Sequence, residues 1–286
     1  MQEYLATMVD VFREVRRVLK PEGTFWLNIG DSYAANNWVG NRADHTSGLN
    51  CVKPGYVPPV HSGVLNGKER KKSVPNGLKA KDLCMIPNRL AILLQEDGWY
   101  VRSEIIWHKP NPMPESVRDR PTCAHEKVWL LTKSGKYFYD ADTIREEFAD
   151  RRMGNPGAYN RTTASAKGQG NKLADGGFLN NGGTWTKGAE LDGKNARNVW
   201  TISPKPFKGA HFATMPPELA ERCIKAGCLE GGTVLDPFGG SGTTGLAADR
   251  SGRNAVLIEL NPEYKKIAIE RVGNEAPLFQ TPIREA

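Results

Sequence analysis

The first constraints on this chain of 286 residues come from what it lacks. It has no run of 18 apolar residues, so no segment reads as a helix that could cross a bilayer. Its start lacks the charged and then apolar pattern of a secretory signal. Cysteine is scarce: Cys51, Cys84, Cys123, Cys223 and Cys228 are odd in number and never form a CxxC pair. That usage predicts reduced thiols in the cytoplasm and no zinc site. The glycine-rich turn near residue 240 is not followed by Lys-Ser or Lys-Thr, which excludes a P-loop. A hydrophobic share of 39% is low but sufficient for one large α/β domain with an inserted segment, or for two small domains. The net charge of +7 suits a polyanionic partner and equally suits plain solubility.

The densest motif is TVLDPFGGSGTT, residues 233–244. Val234 and Leu235 read as a strand, Asp236 through Gly242 as a tight turn, and GLAADR as the start of a helix. Glycines let the backbone take positive φ and come close to a small molecule at a strand end, although many such turns only connect elements. NAVLIEL then reads as a second apolar strand carrying Glu259, and an acidic side chain there suits a pair of ribose hydroxyls. Asp236, just before the turn, would repel phosphates and favour a ligand bearing an ammonium group.

DPFGGSGTT followed by a strand ending in Glu259 resembles the S-adenosylmethionine (AdoMet) loop of amino-group DNA methyltransferases, which methylate cytosine N4 or adenine N6. The loop's place near the C-terminus is similar to the permuted, beta-type subgroup, with the catalytic half first and the cofactor half last. The resemblance implies an α/β, Rossmann-like methyltransferase sandwich with a mainly parallel sheet and circularly permuted motif order. It implies AdoMet as cofactor, held by His211, Phe212, Ala213, Asp236, Pro237, Phe238, Gly239, Gly240, Ser241, Gly242, Thr243, Thr244, Glu259 and Asn261. No metal is implied. Double-stranded DNA is the implied partner, with a cognate restriction enzyme, in a bacterial or phage-encoded cytoplasmic protein that is a monomer or homodimer. Two rival readings are a catalytically incomplete AdoMet- or DNA-binding remnant and an RNA or small-molecule methyltransferase.

Taken in order, residues 2–20 show one apolar helical stripe (Leu5, Met8, Phe12, Val15, Leu19), ended by Pro21-Glu22-Gly23. TFWLNIG is a buried strand that places Asp31 at its carboxyl end, as a site residue or as a turn former. Residues 34–80 are a polar loop insertion. From 53 to 81 the chain holds Lys53, Lys68, Arg70, Lys71, Lys72, Lys79 and Lys81 against Glu69 alone, either a solvated face or a phosphate contact. Residues 82–98 predict a helix capped by Asp82, and VRSEIIW a strand. HKPNPMP leaves that strand abruptly, which would hold Trp107, His108, Lys109 and Asn111 rigidly. The region IIWHKPNPMPES through KYFYD matches the same family, and the match implies a pocket for the target base lined by Asp31, Trp107, His108 and Lys109. Packing alone is the other reading of that corner. EKVWLLTKS and KYFYD predict two more strands. Residues 146–198 are poor in apolar content and read either as a disordered insertion or as a target-recognition segment, with Arg151, Arg152, Lys172, Lys187 and Arg197 on DNA. The expected units are therefore 1–145, the catalytic and base-pocket half; 146–198, the recognition segment; 199–275, the AdoMet half; and a tail from 276 to 286.

The family's Asp/Asn/Ser-Pro-Pro-aromatic tetrapeptide is absent. By the resemblance, its side-chain oxygen and proline carbonyl accept hydrogen bonds from the amino group of a flipped base, and its aromatic ring stacks on that base. No covalent intermediate, and so no catalytic cysteine, is expected. The first helix here resembles the one that follows the tetrapeptide. The expectation is that its strand is encoded upstream of Met1, is supplied by another segment, or is lost. In-frame Ser/Asp-Pro-Pro-aromatic codons upstream would support the first of these.

Overall fold

The computed structural model describes residues 1–34, 77–147, 193–204 and 215–275. Helix α1 (Gln2–Val18) buries Leu5, Val9, Phe12 and Val15 along one stripe. The chain turns into β1 (Thr24–Ile29). Helix α2 (Ile86–Glu96) begins later than the sequence suggests, because Asp82 is not its cap. Asp82 instead accepts the Lys79 N–H at 2.7 Å. Met85 takes the N-cap position in the left-handed region, and Asp31 Oδ1 accepts the Ile86 N–H at 3.1 Å. Strands β2 (Tyr100–His108), β3 (His125–Thr132) and β4 (Val199–Thr201) follow. Then come α3 (Pro217–Gly227), β5 (Thr233–Asp236), α4 (Thr243–Arg250), β6 (Asn254–Leu257) and α5 (Pro262–Glu275).

The strands form a four-stranded sheet in the order β1-β3-β2-β4 and a β5-β6 pair. β3 pairs antiparallel with both β1 and β2, whereas β2-β4 and β5-β6 are parallel. The mainly parallel sheet expected from the resemblance is therefore corrected to a mixed one. The reason is β3, which returns between β1 and β2 through residues 109–124 without a helical crossover and so runs against both. β1, β2 and β4 consequently point the same way, and their carboxyl ends share a rim with the start of β3. KYFYD is not a strand either. Its Phe138 N–H bonds Glu22 O and its Asp140 N–H bonds Ala226 O, which fixes it along α3 and the α1–β1 turn.

The apolar run in β3 is explained by burial on both faces. Trp129 and Leu131 pack with Leu27 against Phe12, Leu90, Leu94 and Trp99 beneath α1 and α2. Val128 and Leu130 face the other way, into a core with Ile105, Trp107, Trp200, Ile202 and Leu219. Leu219 belongs to α3, whose Ala220 and Ile224 pack against Ala247 and Ala248 of α4 in a third cluster. One helix thus belongs to two cores. Leu219 has no exposed surface, so Leu219→Ala should cost about 2–5 kcal/mol, read as a lower urea midpoint for the whole chain.

Candidate active site

The glycine turn lies at the carboxyl end of the parallel β5-β6 pair. Asp236 Oδ1 accepts the Phe238 N–H at 2.9 Å, and Asp236 Oδ2 accepts the Thr244 hydroxyl at 2.5 Å. Gly239 N–H bonds Ile258 O, and Gly242 N–H bonds Gly239 O. Gly242 is the N-cap of α4 with φ 77°, and a Cβ there would sit 2.9 Å from Ala268 Cβ, so a side chain is both strained and crowded out. Gly240, Gly242 and Gly245 stand at GxGxxG spacing, so spacing alone does not distinguish this turn from a dinucleotide loop. Glu259 Oε2 accepts the Gly240 N–H at 2.8 Å, and its Oε1 accepts the Asn261 N–H at 2.7 Å. A carboxylate offers about four acceptor sites, so this one retains capacity for further donors. The structure therefore brings Asp236, Gly239, Gly240, Gly242, Thr244, Glu259 and Asn261 together in one cradle.

Ser241 and Thr243 play a supporting part. Arg271 on α5 is buried and donates to Ser241 Oγ at 3.0 Å and to Thr243 Oγ1 at 2.8 Å, propping the turn from beneath. Sequence reasoning passed over Arg271. The signal was a charged residue on the apolar side of the last helix, beside Ile267, Ala268 and Val272. Pro237 is half-buried, and Phe238 is exposed, with its ring centre 6.3 Å from that of Phe12 in α1, edge to face.

The base-side candidates gather on the rim of the larger sheet, but in different roles. Asp31 accepts the Ser32 and Ile86 N–H groups, so it caps α2. Trp107 is buried and gives its indole N–H to Ile202 O at 2.8 Å, so it packs in the core rather than lining an open pocket. His108 Nδ1 lies 3.2 Å from Thr201 Oγ1 at the end of β4. The Lys109 ammonium sits 4.4 Å from the centre of the Trp107 ring and pairs with Glu126. Glu126 also accepts from Asn28 Nδ2 at 3.2 Å, which links β1, β2 and β3 at this rim. Glu126 was missed in the sequence. Its signal was a charge in register with Val128 and Leu130 on an inward-facing row. Arg197, expected on DNA, is exposed and pairs with Glu146, Nε to Oε2, at 2.8 Å. Lys71, Lys72, Arg151, Arg152, Lys172, Lys187, His211, Phe212 and Ala213 lie outside the described residues.

A glycine turn on paired parallel strands, closed by an acidic residue just beyond the second strand and joined to a mixed sheet with a polar rim, defines an α/β protein with a small-molecule cradle at its strand ends. Comparison with known proteins narrows it. A family model described as DNA methylase matches residues 1–270, and the chain belongs to this family of DNA methyltransferases. It is 42% identical over 275 residues to the Type II methyltransferase M.Cfr9I of Citrobacter freundii, covering 96% of this chain and 73% of that one. Among solved structures it is similar to TTHA0409 of Thermus thermophilus, described as a candidate DNA modification methylase and complexed with S-adenosyl-L-methionine. That match has a TM-score of 0.54, 22% identity, and coverage of 97% and 80% of the two chains. It is also similar to PvuII DNA methyltransferase (cytosine-N4-specific), with a TM-score of 0.55, 18% identity, and coverage of 96% and 76%. These two likenesses support the fold.

The described cysteines differ in their surroundings. Burial pushes the Cys223 thiol up to about 12, so at neutral pH it stays protonated. Cys123 is exposed. Iodoacetamide at pH 8 should alkylate Cys123 and spare Cys223 in the folded chain, with peptide mass spectrometry as the readout; labelling of both at equal rates would contradict the burial.

Proposed function

We propose that this methyltransferase moves a methyl group from AdoMet to an exocyclic amino nitrogen in duplex DNA, cytosine N4 or adenine N6. The observation that carries the reading is the cradle of Asp236, Gly239–Gly242 and Glu259 at the ends of β5 and β6. The residues present fit the cofactor. The tight turn lets backbone approach the ligand, Glu259 has acceptor capacity left for ribose hydroxyls, and Asp236 places negative charge near a ligand that carries an ammonium group. When bound, AdoMet would supply a methyl carbon activated by a sulfonium sulfur. The chain's own residues would hold and orient it, Glu259 toward the ribose and Asp236 toward the amino-acid end, with Arg271 supporting the turn from beneath. The proposed division runs from a base-side half, 1–145, through a recognition segment, 146–198, to the cofactor half, 199–275, in permuted order. The wording of residues 107–116, WHKPNPMPES, inclines the base assignment to cytosine N4. No helix among the described residues is long and apolar enough to cross a membrane. We propose a cytoplasmic enzyme, monomeric or homodimeric, paired with a cognate restriction enzyme.

The rival to this reading is a protein that takes up its ligands without methyl transfer. On that reading the chain binds AdoMet or DNA and transfers nothing. Tritiated AdoMet and unmethylated duplex separate the two. Counts in DNA above a DNA-free blank reject the inactive reading, and nucleoside mass spectrometry of the product should show N4-methylcytosine. N6-methyladenine there would overturn the base assignment. Asp236→Ala removes the two hydrogen bonds that its carboxylate makes to the turn and should weaken AdoMet binding by about a hundredfold in calorimetry. Unchanged affinity would sink the cofactor assignment.

A further inference from the structure

The end of the larger sheet opposite the polar rim carries a second polar feature. Arg13, Arg16 and Arg17 of α1 and Lys133, just beyond β3, line one open cleft of about 330 Å³. No acid and no apolar side chain is among the lining residues. The cleft lies where β1 and β2 begin, since Thr132 beside Lys133 is paired with Thr24 on one side and Tyr100 on the other. Four cations on one wall repel each other, and an anion among them would relieve that cost.

Each cation is held in place by contacts that use few of its donors. Arg13 gives Nε to Asp97 Oδ1 and Nη1 to Asp10 Oδ1, both at 2.6 Å. Arg17 gives Nε to Glu14 Oε2 at 2.7 Å. Arg16 gives Nη2 to Gly98 O at 3.0 Å. Its guanidinium lies against Gly98, where φ is 95° and a Cβ would meet Nη2 at 3.3 Å. Lys133 Nζ donates to Leu19 O at the end of α1. Arg13 Nη2, Arg16 Nη1 and both Nη atoms of Arg17 donate to no group among the described residues. Arg16 has no acidic partner there, and its Nε is buried without an acceptor. Arg16 and Arg17 stand in the last turn of α1, where cations offset the helix dipole. That offset explains neither the orphaned donor nor Arg13 one turn earlier, whereas a missing anion explains both.

We infer that this cleft binds a phosphoryl anion with at least two negative charges, of the size of pyrophosphate or the diphosphate tail of a nucleotide. Guanidinium forks match phosphoryl oxygens two at a time, and Lys133 adds a compact charge. The site stands apart from methyl transfer. Strand β2, from Tyr100 to His108, separates it from the polar rim by about 27 Å at 3.4 Å per residue. A cleft of this volume, at the far end of the sheet, suits a free small molecule. The phosphate backbone of nucleic acid is the other source of the same chemistry.

The test titrates the full chain with pyrophosphate in a calorimeter at fixed ionic strength, beside Arg16→Gln and Arg17→Gln. Arg17 is exposed and bonds only Glu14 on its own helix, so its replacement leaves the fold intact. The wild type should bind saturably with a Kd below about 1 mM, and each variant about tenfold more weakly. AdoMet affinity should stay within about twofold in both. Adenosine diphosphate should compete with pyrophosphate, and adenosine should not. Absence of saturable binding, or binding that Arg17→Gln retains in full, would overturn the site. Equal affinity for sulfate and pyrophosphate would mark an adventitious anion only and overturn the assignment. A fluorescent duplex that pyrophosphate displaces, and that Arg17→Gln binds about tenfold more weakly, would overturn the small-molecule source in favour of the nucleic-acid backbone.

Discussion

Helix α3 is buried on two sides by two different cores. Leu219 enters the apolar layer beneath β2, β3 and β4, while Ala220 and Ile224 close onto Ala247 and Ala248 of α4. Its last residue accepts the Thr24 hydroxyl at 3.0 Å, at the start of β1. No ladder joins the β5-β6 pair to the larger sheet among the described residues. Relative placement of the glycine turn and the polar rim therefore depends chiefly on how this short helix packs, with the Phe12–Phe238 edge contact as a second tie. Close packing transmits such a constraint well, because side chains that interdigitate resist sliding.

The rim shows how charge is handled at a sheet end. Glu126 joins Lys109 from the end of β2 and Asn28 from β1, and Lys127 on the opposite face pairs with Glu104 and donates to Asn88 at 3.0 Å. Each charged group is half-covered and each has a partner, which is the condition under which polar groups persist next to an apolar layer. A network of this kind fixes the orientation of the side chains along the rim.

Much of this was legible in the residues. The strand, turn and helix around Asp236, and Glu259 after the next strand, follow from apolar runs broken by glycine. Those are local signals, and the local backbone obeys them. The N-terminal helix was legible for the same reason. What failed was non-local. Asp82 looked like a cap by its position in sequence, but the donor at Ile86 is met by Asp31, 55 residues earlier. Trp107 looked like a pocket wall because it stands at a strand end, yet its indole finds Ile202 O across the sheet. The direction of β3 could not be read from its composition, since a strand buried on both faces looks alike in either orientation. The partner of Arg197 was equally hidden, since the acid that pairs with it lies 51 residues away. The Arg271 prop was hidden in the same manner, 30 residues from the serine it supports.

Glu259 has a consequence for how a ligand can be taken up. Both of its oxygens already hold main-chain amides, one in the turn and one at the entry to α5. The turn is thus set before any guest arrives, and little chain freedom remains to be lost when one does. For this described part of the receptacle, binding would require no rearrangement of the turn itself. The carboxylate acts first as a splint for the protein, and the ligand contact proposed for it would come on top of that. An exchange of Glu259 for another acceptor of different reach would therefore deform the receptacle as well as remove the contact.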